Sequence, residues 1–94
     1  MTIVYKHSFT IRLERQLAFI AKDNVPAARK FRRELIRIIK DIPKNPLIHR
    51  RSIYFNDSSV RDLIYKGYTV VFRINKDVIE VFGFVYYQEF PTDR

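Results

Sequence analysis

Near residue 60 the apolar residues of this chain change their spacing, and that change limits what it can fold into. Between residues 9 and 42 they recur every three or four positions, first as Phe9, Leu13, Leu17 and Ile20, then as Ala28, Phe31, Leu35, Ile38 and Ile42. A helix of 3.6 residues per turn gathers such positions on one face, so two amphipathic helices are expected. Ser8 is placed to cap the first. The second starts after Asn24, with Pro26 in its first turn, and closes at Pro43 and Pro46. Beyond residue 60 the period falls to two. In YTVVFRI, Tyr68, Val70, Phe72 and Ile74 alternate with Thr69, Val71 and Arg73, and residues 78–87 repeat the alternation after the turn NKD at 75–77.

Around these elements, Ile3, Val4 and Tyr5 read as a first strand, residues 53–55 as a short strand or loop, residues 56–59 as a turn, and VRDLIY at 60–65 as a strand. YKG at 65–67 suits a hairpin connection, and Gly83 marks a bulge or a close approach of backbones. The expected architecture is α+β, with two N-terminal helices packed on one face of a small, mostly antiparallel sheet. Ninety-four residues make one domain, 1–94, which can bury about 60 to 65% of its unfolded surface. The other sheet face is free to meet water or a ligand, and depending on register it displays Arg61, Arg73, Tyr86 or Tyr87, and Gln88.

Composition removes several chemistries. With no cysteine there are no disulfides, thiolate metal sites or cysteine nucleophiles, and two histidines are a poor basis for zinc, so neither metal nor cofactor is expected. No apolar run approaches the roughly 18 residues of a membrane span, and MTIVYKHSF lacks the form of a secretory leader. The cytoplasm is the expected location. Charge is the positive clue. Arg29, Lys30, Arg32, Arg33, Arg37, Lys40, Lys44, Arg50 and Arg51 face only Glu34 and Asp41, so nearly all of the formal +8 lies between residues 29 and 51. Such a patch attracts nucleic acid or an acidic protein.

The ordered set AARKFRRELIRIIKDIPKNP (27–46), HRRSIYF (49–55) and VRDLIYKGYTVVFRINKDVIEVFGFV (60–85) resembles the RelE/ParE family of toxins from type II toxin–antitoxin modules. The resemblance implies the same α+β fold and a cognate antitoxin that wraps the toxin. It also implies one of two activities: RelE-like members cleave messenger RNA on the ribosome, whereas ParE-like members poison DNA gyrase. In the RelE-like pattern an arginine follows the Gly-Tyr pair and a basic residue ends the last strand. Here those places hold Thr69 and Gln88, which removes positive charge from a cleavage centre.

The ParE-like side is therefore expected, with inhibition by interface binding. Arg29, Arg33, Arg37, Arg50, Arg51, Arg61, Arg73, Tyr87 and Gln88 are the candidates to meet target or antitoxin. The alternative is a ribosome-dependent endoribonuclease with an atypical site drawn from His49, Arg61, Arg73, Tyr86 and Tyr87. A tyrosine with a pKa of about 10 would need strong nearby positive charge to act there as a base. Arg61 and Arg73 also have internal partners within reach in Asp62, Asp77 and Glu80. A third possibility is a degenerate, weakly toxic homologue kept for antitoxin binding.

Overall fold

A computed structural model of the chain describes residues 1–86. Strand β1 (Thr2–Tyr5) leads into helices α1 (His7–Asp23) and α2 (Val25–Lys40). Two 3-10 turns, Ile42–Lys44 and Pro46–Ile48, precede β2 (Arg50–Arg51), β3 (Val60–Tyr65), β4 (Tyr68–Asn75) and β5 (Val78–Tyr86). The sheet order is β1-β5-β4-β3-β2, antiparallel throughout except that β1 runs parallel to β5. The expected α+β fold is the one the chain adopts.

Asn24 separates the helices by serving both. Its backbone N–H donates to the Ile20 carbonyl at the end of α1, and its side-chain oxygen accepts from the Ala27 N–H at the start of α2. Phe9, Leu13 and Leu17 from α1 meet Leu35 and Ile39 from α2, and both sets pack on Leu63, Tyr68, Val70, Phe72, Ile79, Val81 and Phe84. Tyr68 lies at the centre of an aromatic cluster, edge-on to Phe31 at 4.9 Å and stacked on Phe84 at 5.1 Å.

The β3–β4 connection is a two-residue turn, Lys66 and Gly67, both at positive φ, as a type I′ hairpin requires. Opposite β4, strand β5 carries a bulge at Phe82 that shifts the register beside Val71 and Phe72. Gly83 then faces Val71 so closely that a Cβ there would sit 2.9 Å from the valine Cβ, which explains a glycine inside a strand.

Three details differ from the sequence expectation. Ser8 does not cap α1: the helix starts two residues earlier, at His7 after Lys6, and the Ser8 hydroxyl donates to the Phe82 carbonyl at 2.6 Å. Ile39 rather than Ile38 is the fully buried residue of its turn, because 35, 39 and 42 fit the helical period as well as 35, 38 and 42 and the chain has isoleucine at both places. A short strand not foreseen lies at Arg50–Arg51, while residues 53–55 are the loop of the two expected alternatives.

The sheet face away from the helices is not open along its length. The segment 52–59 straps across it, with the Ile53 N–H bonded to Asp62 and the Phe55 ring 5.5 Å from Phe82. Val60, Asp62 and Val71 are buried on a face expected to be wet, as is Thr69 farther along it, where Ile64 stays exposed. Register also moves two residues from that face. Arg61 opposes Phe72 and Tyr86 opposes Tyr68, so both point to the helix side, while Arg73 opposes Val60 and Glu80 on the strapped side.

Candidate functional site

While α2 buries Ala28, Leu35 and Ile39 against the sheet, its exposed side holds a cationic shelf. Arg29, Arg32, Arg33, Arg37 and Lys40 surround Ile36 and line a shallow cavity of about 520 Å³. Among the described residues only Arg32 of this group has an ion pair, its Nη1 lying 2.6 Å from Glu14 Oε2 on α1. The sequence candidates Arg29, Arg33 and Arg37 thus share one surface and keep their charge available. At the edge of the helix Glu34 takes the opposite role. It accepts from the Tyr65 hydroxyl at 2.8 Å and lies 3.5 Å from Lys66 Nζ, which clamps α2 to the β3–β4 turn. The hydrogen bond from Tyr65 holds the Glu34 carboxyl below its ordinary value, and burial together with that carboxylate pushes the Tyr65 phenol up.

The sheet-side candidates are engaged in local structure. Arg61 donates from Nε to the Ser58 carbonyl and from Nη1 to the His49 carbonyl, both at 3.1 Å, so its guanidinium fastens the strap to the turn before β2. Arg73 lies 3.5 Å from Glu80 across the hairpin, with its guanidinium 5.0 Å from the Phe82 ring centroid. His49 stands edge-on to Phe72 at 5.5 Å, and burial pushes its imidazole pKa down. Arg50 reaches the Asp62 carboxylate at 3.2 Å, whereas neighbouring Arg51 is exposed. Asp62, 1% exposed, accepts from Arg50 and the Ile53 amide on one oxygen; its other oxygen has no partner among the described residues.

These positions do not converge. Tyr86 stacks on Tyr68 at 4.4 Å, on the helix side and at the end of β5 beside the Lys66–Gly67 turn. His49 and Arg61 lie toward the other end of the sheet, and Arg73 faces the strap. Thr69, which stands where a RelE-like arginine would, is buried. Tyr87 and Gln88 fall outside the described residues. No group of three or more histidine, cysteine or acidic side chains suited to a metal occurs among the described residues, and no helix there is long and apolar enough to cross a membrane.

A family model for the ParE toxin of the type II toxin–antitoxin system parDE matches residues 3–87. The chain belongs to the ParE toxin family. No curated protein matches it. Membership makes this ParE-family chain the toxin component of a toxin–antitoxin module and implies a cognate antitoxin as partner. The match runs through both helices and every described strand, so the cationic shelf and the strap are parts of the family domain.

One cluster escaped the sequence candidates. Arg12, Arg15, Gln16 and Phe19 form a stripe along α1, beside Phe84 and Tyr86 of β5. The recurrence of Arg12, Gln16 and Phe19 at four and then three residues was the available signal. It is easily passed over, because the core stripe of the same helix is more apolar.

Proposed function

We propose that this ParE-family toxin acts without a chemical step, by binding a macromolecular target, DNA gyrase, and that it does so in the cytoplasm until its antitoxin neutralises it. The observation that carries this is the dispersal of the groups a nuclease would need. Metal-independent RNA cleavage requires a base, an acid and phosphate-stabilising cations around one scissile bond. Here Tyr86, Arg73 and the His49–Arg61 pair occupy different ends or faces of the sheet, and the arginines hold internal partners. The cationic α2 shelf, in contrast, is exposed and, among the described residues, unpaired except at Arg32, which suits recognition of an acidic protein.

The test is gyrase supercoiling with increasing amounts of purified chain, with and without the cognate antitoxin, beside a ribosome-bound messenger RNA cleavage assay. Inhibition of supercoiling that needs no ribosome and is reversed by antitoxin is the expected result. Cleavage of ribosome-bound RNA, with supercoiling untouched, would reject the proposal in favour of the endoribonuclease alternative. Loss of that cleavage in Arg73→Ala and Tyr86→Phe would then place its centre on the sheet.

A further inference from the structure

The stripe on α1 bounds a pocket that the target-binding proposal does not use. Arg12, Arg15, Gln16 and Phe19 form one wall, Phe84 and Tyr86 the other, and together they enclose about 370 Å³. Its back is rigidly built. Gln16 Nε2 donates to the Tyr68 hydroxyl at 2.8 Å, and Tyr68 is itself buried and stacked between Phe84 and Tyr86. The front carries charge and an apolar ring. Arg12 and Arg15 form no ion pair among the described residues, because Glu14, the one carboxylate between them in sequence, turns to Arg32 of α2. Phe19 leaves 63% of its surface exposed on a helix whose other phenylalanine is fully buried. Among the described residues no acidic side chain lines the cavity.

Two guanidinium forks one helical turn apart, next to a flat apolar wall, select a ligand that joins an anion to an apolar group. Single-stranded nucleic acid has both, but its binding sites follow a continuous basic track along the phosphates. Here the surface shared by α1 and α2 carries the Glu14 carboxylate, paired with Arg32, which interrupts such a track. A peptide needs only one carboxylate beside one bulky side chain. We infer that the pocket is a docking site for an acidic segment of the antitoxin, with a carboxylate held between Arg12 and Arg15 and a neighbouring apolar side chain seated on Phe19 and Phe84. The inference rests on the antitoxin partnership that family membership implies, and charge complementarity favours it: a chain of formal charge +8 is best neutralised by an acidic partner.

Calorimetric titration of purified full-length chain with its purified cognate antitoxin tests this. Replacing both arginines, Arg12→Gln with Arg15→Gln, is expected to weaken the complex by about 30-fold or more, and Phe19→Ala alone by about tenfold, as for anchors at an interface centre. Lys22→Gln, an exposed cation farther along α1, is the control and is expected to change affinity by less than about threefold. Since Arg12 and Arg15 are exposed, the thermal midpoint should stay put, which separates lost binding from lost folding. Wild-type affinity in the double variant overturns the docking site while leaving the antitoxin partnership intact. No association of the wild-type chain removes the partnership and the docking site together. A parallel titration with a short single-stranded oligonucleotide closes the remaining route: binding that depends on Arg12 and Arg15 there, and not with the antitoxin, assigns the pocket to nucleic acid instead.

Discussion

His49 shows how a single side chain couples the sheet to pH. Its ring packs edge-on against buried Phe72, and burial lowers its folded-state pKa below the ordinary value near 6.5. The unfolded chain therefore takes up a proton first as pH falls. The stability that His49 contributes is complete above about 6.5, declines on acidification through that value, and levels off once the folded imidazole is also protonated. Urea midpoints recorded between about pH 7.5 and 5 should fall for the wild-type chain, and His49→Gln should remove the part of that fall due to this residue. Residue-level pairing was only partly visible beforehand. The Arg73–Glu80 contact follows from strand alternation across a hairpin. The burial of Asp62 does not, since a charged side chain on a strand facing away from the helices is ordinarily wet.

Elements were legible where their pattern is periodic and long. Both helices and the β3–β4–β5 meander carry enough repeats to fix their type, whereas β2 has only Arg50 and Arg51 and no period at all. Its place at the sheet edge comes from tertiary contacts: the Arg50–Asp62 ion pair and the strap that follows. For the same reason the strapped face was misjudged, because no local rule says that residues 52–59 will fold back over β3. Asp62 is the pin of this arrangement. Asp62→Ala should cost about 2 to 3 kcal/mol, the usual range for lost hydrogen bonds to a buried charged group. It should also speed hydrogen exchange at the Ile53 amide far more than at core amides of β4. Equal acceleration at both would show that the strap does not open on its own.

At the scale of the whole molecule, charge is distributed by helix face. The core side of α2 is apolar, while its outer side concentrates arginine and lysine with few carboxylates to offset them. Such a field acts over about 8 to 10 Å at physiological salt and chiefly governs how fast an acidic partner arrives. Stopped-flow association of the Arg33→Glu/Arg37→Glu variant with the antitoxin should be slower by about tenfold or more at low salt, with a flatter salt dependence and a dissociation rate close to wild type. Faster dissociation at an unchanged association rate would instead make these residues desolvated contacts.

The parallel pairing of β1 with β5 sets a clock on synthesis. Thr2–Tyr5 is made long before its partners Val78–Val81, so this edge strand of the sheet has nothing to join until β5 is synthesised. Closing so long a loop is the slowest kind of contact to form. A nascent chain can assemble its helical hairpin early, but the sheet edge stays unfinished until β5 has been made. The sheet edge beside α1 is thus finished only once β5 has left the ribosome, and any partner that reads that edge meets it after that moment.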